Sequence, residues 1–166
     1  MRGMRAARRR RLGVTIGRLP GAPRGPRRAR VVAALEEAAR LAGARGALQV
    51  DVVWSGDRTM RTLNRKHAGR GDTTDVLAFA DGSDDPERGG RRLGEIVCNL
   101  DEARRSARMH GNGCEAEAVL YATHGLVHLL GGDDHTPRGR REMRRVEHGA
   151  LAAAGMSVRG GEWDEV

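Results

Sequence analysis

From residue 28 to 42 the apolar positions Val31, Val32, Leu35, Ala38, Ala39 and Ala42 recur at helical spacing, and Gly43 and Gly46 end the run. The period then changes. Leu48-Gln-Val-Asp-Val-Val-Trp54 alternates and turns fully apolar, as a half-buried strand does. Ser55 is placed to N-cap a short helix carrying Met60 and Leu63. Residues 75–79 and 93–99 read as two further strands, separated by a mobile loop rich in Gly, Asp and Arg. A short strand over 12–16 comes before a Gly-Pro-Arg stretch that breaks regular structure, and 101–110 is helical in character.

The next helix has the clearest signals. Asn112 precedes Glu115 by three residues, in the manner of a capping box, and the helical run reaches Leu130 before Gly131-Gly132 stops it. Thr136-Pro137 opens a last helix with an N-cap and an N1 proline, running through Met143, Val146 and Leu151 to Gly155. This order predicts an α+β fold: a small mixed sheet of about four strands packed with helices. The expected organisation is a disordered basic arm over 1–11, one domain over 12–158 and a polar tail over 159–166.

Charge changes the picture only at one end. The chain of 166 residues has a formal charge of +8, but residues 1–30 hold eleven Arg and no acid. The rest carries 19 basic against 22 acidic residues, so the basicity belongs to the first thirty residues. Arginine outnumbers lysine 29 to one, a skew that codon usage alone produces, which weakens any single arginine as a sign of binding. No apolar run approaches the ~18 residues of a membrane span. Cys98 and Cys114 form neither a CxxC pair nor a disulfide framework, so a reduced, cytoplasmic protein is expected. Neither GxGxxG nor a Walker loop is present, which removes the usual support for a nucleotide cofactor.

The chemistry gathers on histidine. His124 and His128 are four apart on one helix face, and His135 follows the Gly131-Gly132 turn, which lets the chain fold back. Three imidazoles with a fourth position left to water are the layout of a catalytic zinc site, on a central helix and the turn after it. In the peptidase motif HExxH a glutamate follows the first histidine and serves as general base. This chain has Gly125 there, which accepts no proton and argues against peptidase chemistry.

Three segments carry a family resemblance. They are His124-Gly-Leu-Val-His-Leu-Leu-Gly131 with Asp-Asp-His-Thr-Pro137, then Leu63-Asn64 with Thr74-Asp-Val-Leu-Ala-Phe79, and Leu93-Gly-Glu-Ile-Val-Cys-Asn-Leu100. Together they resemble the HGxLHLxGxDH, LN…TDVLSF and LGDI segments of the YbeY family of bacterial endoribonucleases. The resemblance spans roughly residues 12–155. It implies a single-strand-specific, metal-dependent endoribonuclease of 16S rRNA maturation and ribosome quality control. Its implied partners are single-stranded RNA, 16S rRNA and the small ribosomal subunit, with one Zn2+ per chain, no membrane and no nucleotide cofactor.

The implied ligands are His124, His128 and His135. The family's register for the third ligand falls on Asp134, one residue early. An extra residue in the turn keeps His135 as ligand, with Asp134 as its rival. Ala68 stands where the family commonly has an arginine, and Arg70, at the family's lysine position, is the nearest replacement for a phosphate contact. Asp133 or Asp134 could orient a ligand or relay a proton, or simply form the turn. Two rival functions use the same ligands: a ribosome-assembly factor with a structural zinc and no hydrolysis, and a zinc peptidase-like metallohydrolase.

Overall fold

A computed structural model describes residues 11–160. The expected arm therefore lies outside the described residues except for Arg11, and so does the tail beyond Gly160. The elements are β1 (Arg11–Arg18), α1 (Arg28–Leu41), β2 (Ala47–Ser55), α2 (Asp57–Ala68), β3 (Val76–Ala80), β4 (Arg91–Asn99), α3 (Leu100–His110), α4 (Cys114–Leu129) and α5 (Pro137–Ala153). One four-stranded sheet has the order β1-β2-β4-β3. β1, β2 and β4 run parallel, and β3 pairs antiparallel with β4, closing the expected α+β arrangement.

Parallel neighbours need a crossover, and α1 supplies the one between β1 and β2. Its buried face, Val31, Ala34, Leu35, Ala38 and Ala39, follows the helical spacing read above. Val50, Val52 and Trp54 of β2 alternate into the core, as period-two patterning requires. The loop between β3 and β4 extends their hairpin, with the amide of Arg92 donating to Ser83 and that of Asp85 to Gly90.

α4 is the centre of the molecule. It packs against α1, α3, α5, β3 and β4, and eleven of its 16 residues are buried. A helix apolar nearly all round can be satisfied only inside such a shell. Its last two turns carry His124 and His128, both partly exposed.

Two caps differ from expectation, each for the same reason. Asn112 does not cap α4; Gly113 is the N-cap, and the Asn112 side chain donates to Glu117 Oε1 (2.7 Å) and exchanges hydrogen bonds with the backbone of Arg159. Glu115 turns instead to Arg30, at 2.7 Å. Ser55 is buried and donates to the Cys98 carbonyl, while Gly56 is the N-cap of α2 and Asp101 Oδ2 accepts from the Asp57 amide. Partners far away in sequence claim these side chains. Thr136, by contrast, caps α5 as expected, accepting from the Gly139 amide at 3.0 Å.

Candidate metal centre

His124 and His128 stand one turn apart at the open end of α4, which the residue between them presses onto the sheet. A Cβ built on Gly125 would lie 2.6 Å from Ile96 Cγ2 and 3.3 Å from Val76 Cγ2. The helix comes this close to β3 and β4 only because position 125 lacks a side chain. The same fact sharpens the peptidase comparison: position 125 faces the sheet, so a glutamate there would enter the core.

The turn after α4 is a Schellman motif. With Leu130 as C-cap, Gly131 takes a left-handed φ of 96°, its amide donates to His128 O, and the Gly132 amide donates to Val127 O. The turn does more than end the helix. It brings the Gly132 carbonyl to His128, whose Nδ1–H donates to it at 3.1 Å. The Nδ1–H of His124 donates to Glu147 Oε1 at 2.7 Å. Both rings therefore carry their proton on Nδ1 and turn Nε2 toward a common point, 3.0 Å apart.

The third group there is Asp134. Its Oδ2 lies 3.5 Å from His128 Nε2 and 3.9 Å from His124 Nε2. The loop that aims it is tied down locally: Asp133 Oδ1 accepts from the His135 amide, and Arg140 donates to the Asp134 carbonyl. His135, expected as the third ligand, is not gathered with the pair among the described residues. Its ring groups instead with Asp133 and Asp134. Asp134 is common to both groups, and His135 itself is exposed.

The donors suit a divalent ion. Ligand atoms about 2.1 Å from a tetrahedral zinc sit roughly 3.4 Å from one another, close to the three separations here. Two Nε2 lone pairs facing each other at 3.0 Å repel unless a cation or proton lies between them. The side chains are 26% (His124), 31% (His128) and 37% (Asp134) exposed, so a substrate can reach the point they share.

Charge favours the same conclusion. Burial lowers the His124 pKa, but the Glu147 hydrogen bond and the negative charges of Glu147, Asp75 and Asp134 outweigh it, and the net shift is upward. Asp75 stands at the start of β3, its Oδ1 accepting from the Val76 amide (2.8 Å) and the Thr74 hydroxyl (3.1 Å). Anionic groups thus surround the histidines.

Glu147 was not among the candidate residues. Only 1% exposed, it sits on α5 at the helical spacing of Met143, Ala150 and Leu151. An acid at the spacing of the apolar positions Met143, Ala150 and Leu151 was its one signal in the sequence. A second polar group also escaped notice. Asn99, fully buried, donates to Asp57 Oδ1, Thr73 Oγ1 and the Thr74 carbonyl while its Oδ1 caps α3. It fixes the strand entry that bears Asp75. Arg70 is exposed just past the α2 C-cap Gly69, and Ala68 is the exposed last residue of α2. No contact among the described residues joins Arg70 to the histidine group.

No helix of the described residues is long and apolar enough to cross a membrane. A family model described as Endoribonuclease YbeY matches residues 26–155. A protein of that name from Anaeromyxobacter sp. (strain Fw109-5) is 37% identical over 81% of this chain and 69% of its own length. One from Thermus thermophilus is 39% identical over 78% of this chain and 92% of its own. The solution structure of TM1509 from Thermotoga maritima has the same fold, with a TM-score of 0.56 at 19% identity, covering 91% of this chain and 99% of that one.

Proposed function

Because the chain belongs to the YbeY family, we propose that it is a metal-dependent endoribonuclease cutting single-stranded RNA in the cytoplasm. Its place is in 16S rRNA maturation and ribosome quality control, on the small ribosomal subunit, with one zinc ion per chain. One observation carries the reading: the two Nε2 atoms 3.0 Å apart, with a carboxylate oxygen beside them and an open side.

His124, His128 and Asp134 hold the ion, and Asp134 rather than His135 is the third ligand. The ion would supply Lewis-acid activation of water and polarisation of a phosphoryl oxygen. The chain's own groups do the rest. The Gly132 carbonyl and Glu147 keep both imidazoles in the Nδ1–H form, ready to ligate. The exposed guanidinium of Arg70 offers charge-assisted hydrogen bonds to an RNA phosphate. The anionic surroundings of the histidines favour a cation at the centre and leave phosphate binding to groups on the rim.

Zinc content and cleavage of an end-labelled single-stranded RNA, measured for wild type and for His128→Ala, Asp134→Ala and His135→Ala, test this. His128→Ala and Asp134→Ala should lose zinc and cleavage together, and His135→Ala should keep its zinc. Zinc lost from His135→Ala but kept by Asp134→Ala would reassign the third ligand. A wild type that cuts casein and not RNA would overturn the substrate class. Bound zinc with no hydrolysis of either would leave the assembly-factor reading.

A further inference from the structure

The Glu147 carboxylate has no evident value to folding. It is 1% exposed in the contact between α4 and α5, and its Oε2 is buried without accepting a hydrogen bond. A buried carboxylate with an unsatisfied oxygen is costly, and an apolar side chain of similar volume generally serves a core as well or better. The apolar positions of that face, Met143, Val146, Ala150 and Leu151, are filled in that way, and Arg144 is the other buried charged residue of α5. What distinguishes position 147 is its other oxygen. Oε1 accepts from His124 Nδ1 at 2.7 Å, on the side of the ring opposite the point shared with His128 and Asp134.

We propose that Glu147 is a positioning residue of the metal centre, holding His124 in one tautomer and one ring orientation so that Nε2 is presented to the ion. The inference rests on the metal reading above and deepens it. A carboxylate behind a ligating imidazole does two things. It removes the competing tautomer, in which Nε2 carries the proton and cannot ligate, and it increases the donor strength of the ring. His128 receives only a neutral carbonyl in the same place, so the two ligands are unequal. His124 is the stronger donor. Its orientation depends on α5, a different element from the helix that bears it, so seating α5 on α4 completes the centre.

The test uses the full chain, Zn2+ with a competing chelator, and the variants Glu147→Gln and Glu147→Ala. Glutamine keeps an acceptor for Nδ1–H and removes the charge; alanine removes both. Zinc affinity should fall about 10–100-fold in Glu147→Ala, with Glu147→Gln intermediate. Nitrogen NMR of the metal-free wild type should show the His124 proton on Nδ1, and Glu147→Ala should populate both tautomers. That spectrum needs no variant to fold. A wild-type His124 Nδ1 without a proton overturns the proposal, and so does equal zinc affinity in all three proteins. A wild type that binds no zinc would refute the metal reading itself and this inference with it. Zinc binding unchanged by the variants refutes this inference alone.

Discussion

Replacing Gly125 by alanine should destabilise the protein, although alanine is the better helix former. The new Cβ would lie 2.6 Å from Ile96 Cγ2, about 1 Å inside the 3.5–4.0 Å at which carbon atoms attract. Ile96 has nowhere to go: it is fully buried in β4, paired with Val52 of β2 on one side and Ala78 of β3 on the other. Cγ2 is a branch methyl held close to the backbone, so no rotamer of a long side chain relieves the overlap. Overpacking of this kind costs about 1–3 kcal/mol. Against it stands the helix preference of alanine over glycine, about 1 kcal/mol. With a rigid neighbour the overlap falls in the upper part of its range, which leaves a net loss of about 1–2 kcal/mol.

Urea unfolding of the metal-free protein, followed by circular dichroism, reads this directly as a lower midpoint at unchanged slope. A second substitution identifies the cause. Ile96→Ala removes both atoms of Ile96 that crowd the site and costs about 2–5 kcal/mol alone, as a cavity does. In the Gly125→Ala background its cost should be smaller by about 1–3 kcal/mol, because the cavity accepts the new methyl. A Gly125→Ala protein as stable as wild type, or strict additivity in the double variant, would refute the close approach of α4 to the sheet.

Three further outcomes are expected. Gly131→Ala, at a φ of 96°, should cost about 1–2 kcal/mol in urea unfolding and weaken zinc binding, because the turn that carries the Gly132 carbonyl to His128 is strained. Asn99→Ala should cost about 3 kcal/mol, combining a lost N-cap of about 1 kcal/mol with the lost hydrogen bonds to Asp57 and Thr73 at about 1 kcal/mol each. Asp57 is held far below the usual 3.8 by the two-pronged Arg105 bond, which together with Asn99 and Thr73 outweighs its burial. Its contribution is therefore complete above about pH 4 and lost as pH falls through the lowered value. Asp57→Asn should flatten the acid limb of stability below pH 4 in a pH series of melts, and an unchanged limb would count against the pairing.

How far the site could be read from the sequence depended on how local each contact is. The histidine pair was legible because four residues on a helix span one turn whatever surrounds it. The Gly131-Gly132 stop was legible because a left-handed turn selects for glycine. Which side chain of Asp133-Asp134-His135 points inward was not, since the geometry of the turn decides it, and a change of one position exchanges carboxylate for imidazole. Counting positions from His128 led to Asp134, whereas ligand type led to His135; the structure brings Asp134 to the pair. Glu147 reaches His124 across 23 residues through the packing of α5 on α4, which no local pattern encodes. Asn112 failed as a cap in the same way, its partner at residue 159 being 47 positions away.

These contacts make α4 the axis of both stability and chemistry. Its buried face must stay small at Gly125 to sit on β3 and β4, and that seating sets where His124 emerges. Its last turn must end in a glycine pair, and that ending supplies the carbonyl for His128 and starts the loop that returns Asp134. α5 then closes on α4 with one acid among apolar neighbours, and that acid meets His124. In an HExxH peptidase the position after the first histidine carries the general base, but here it is spent on helix-to-sheet contact. A general base would therefore come from outside α4, and Asp75, at the entry to β3, is one of three carboxylates around His124, with Glu147 behind the ring and Asp134 beside Nε2. Asp75→Asn should then lower the rate of RNA cleavage more than it lowers zinc affinity, as measured by single-turnover cleavage and chelator competition. Losses in equal proportion would assign Asp75 to holding the centre rather than to proton transfer.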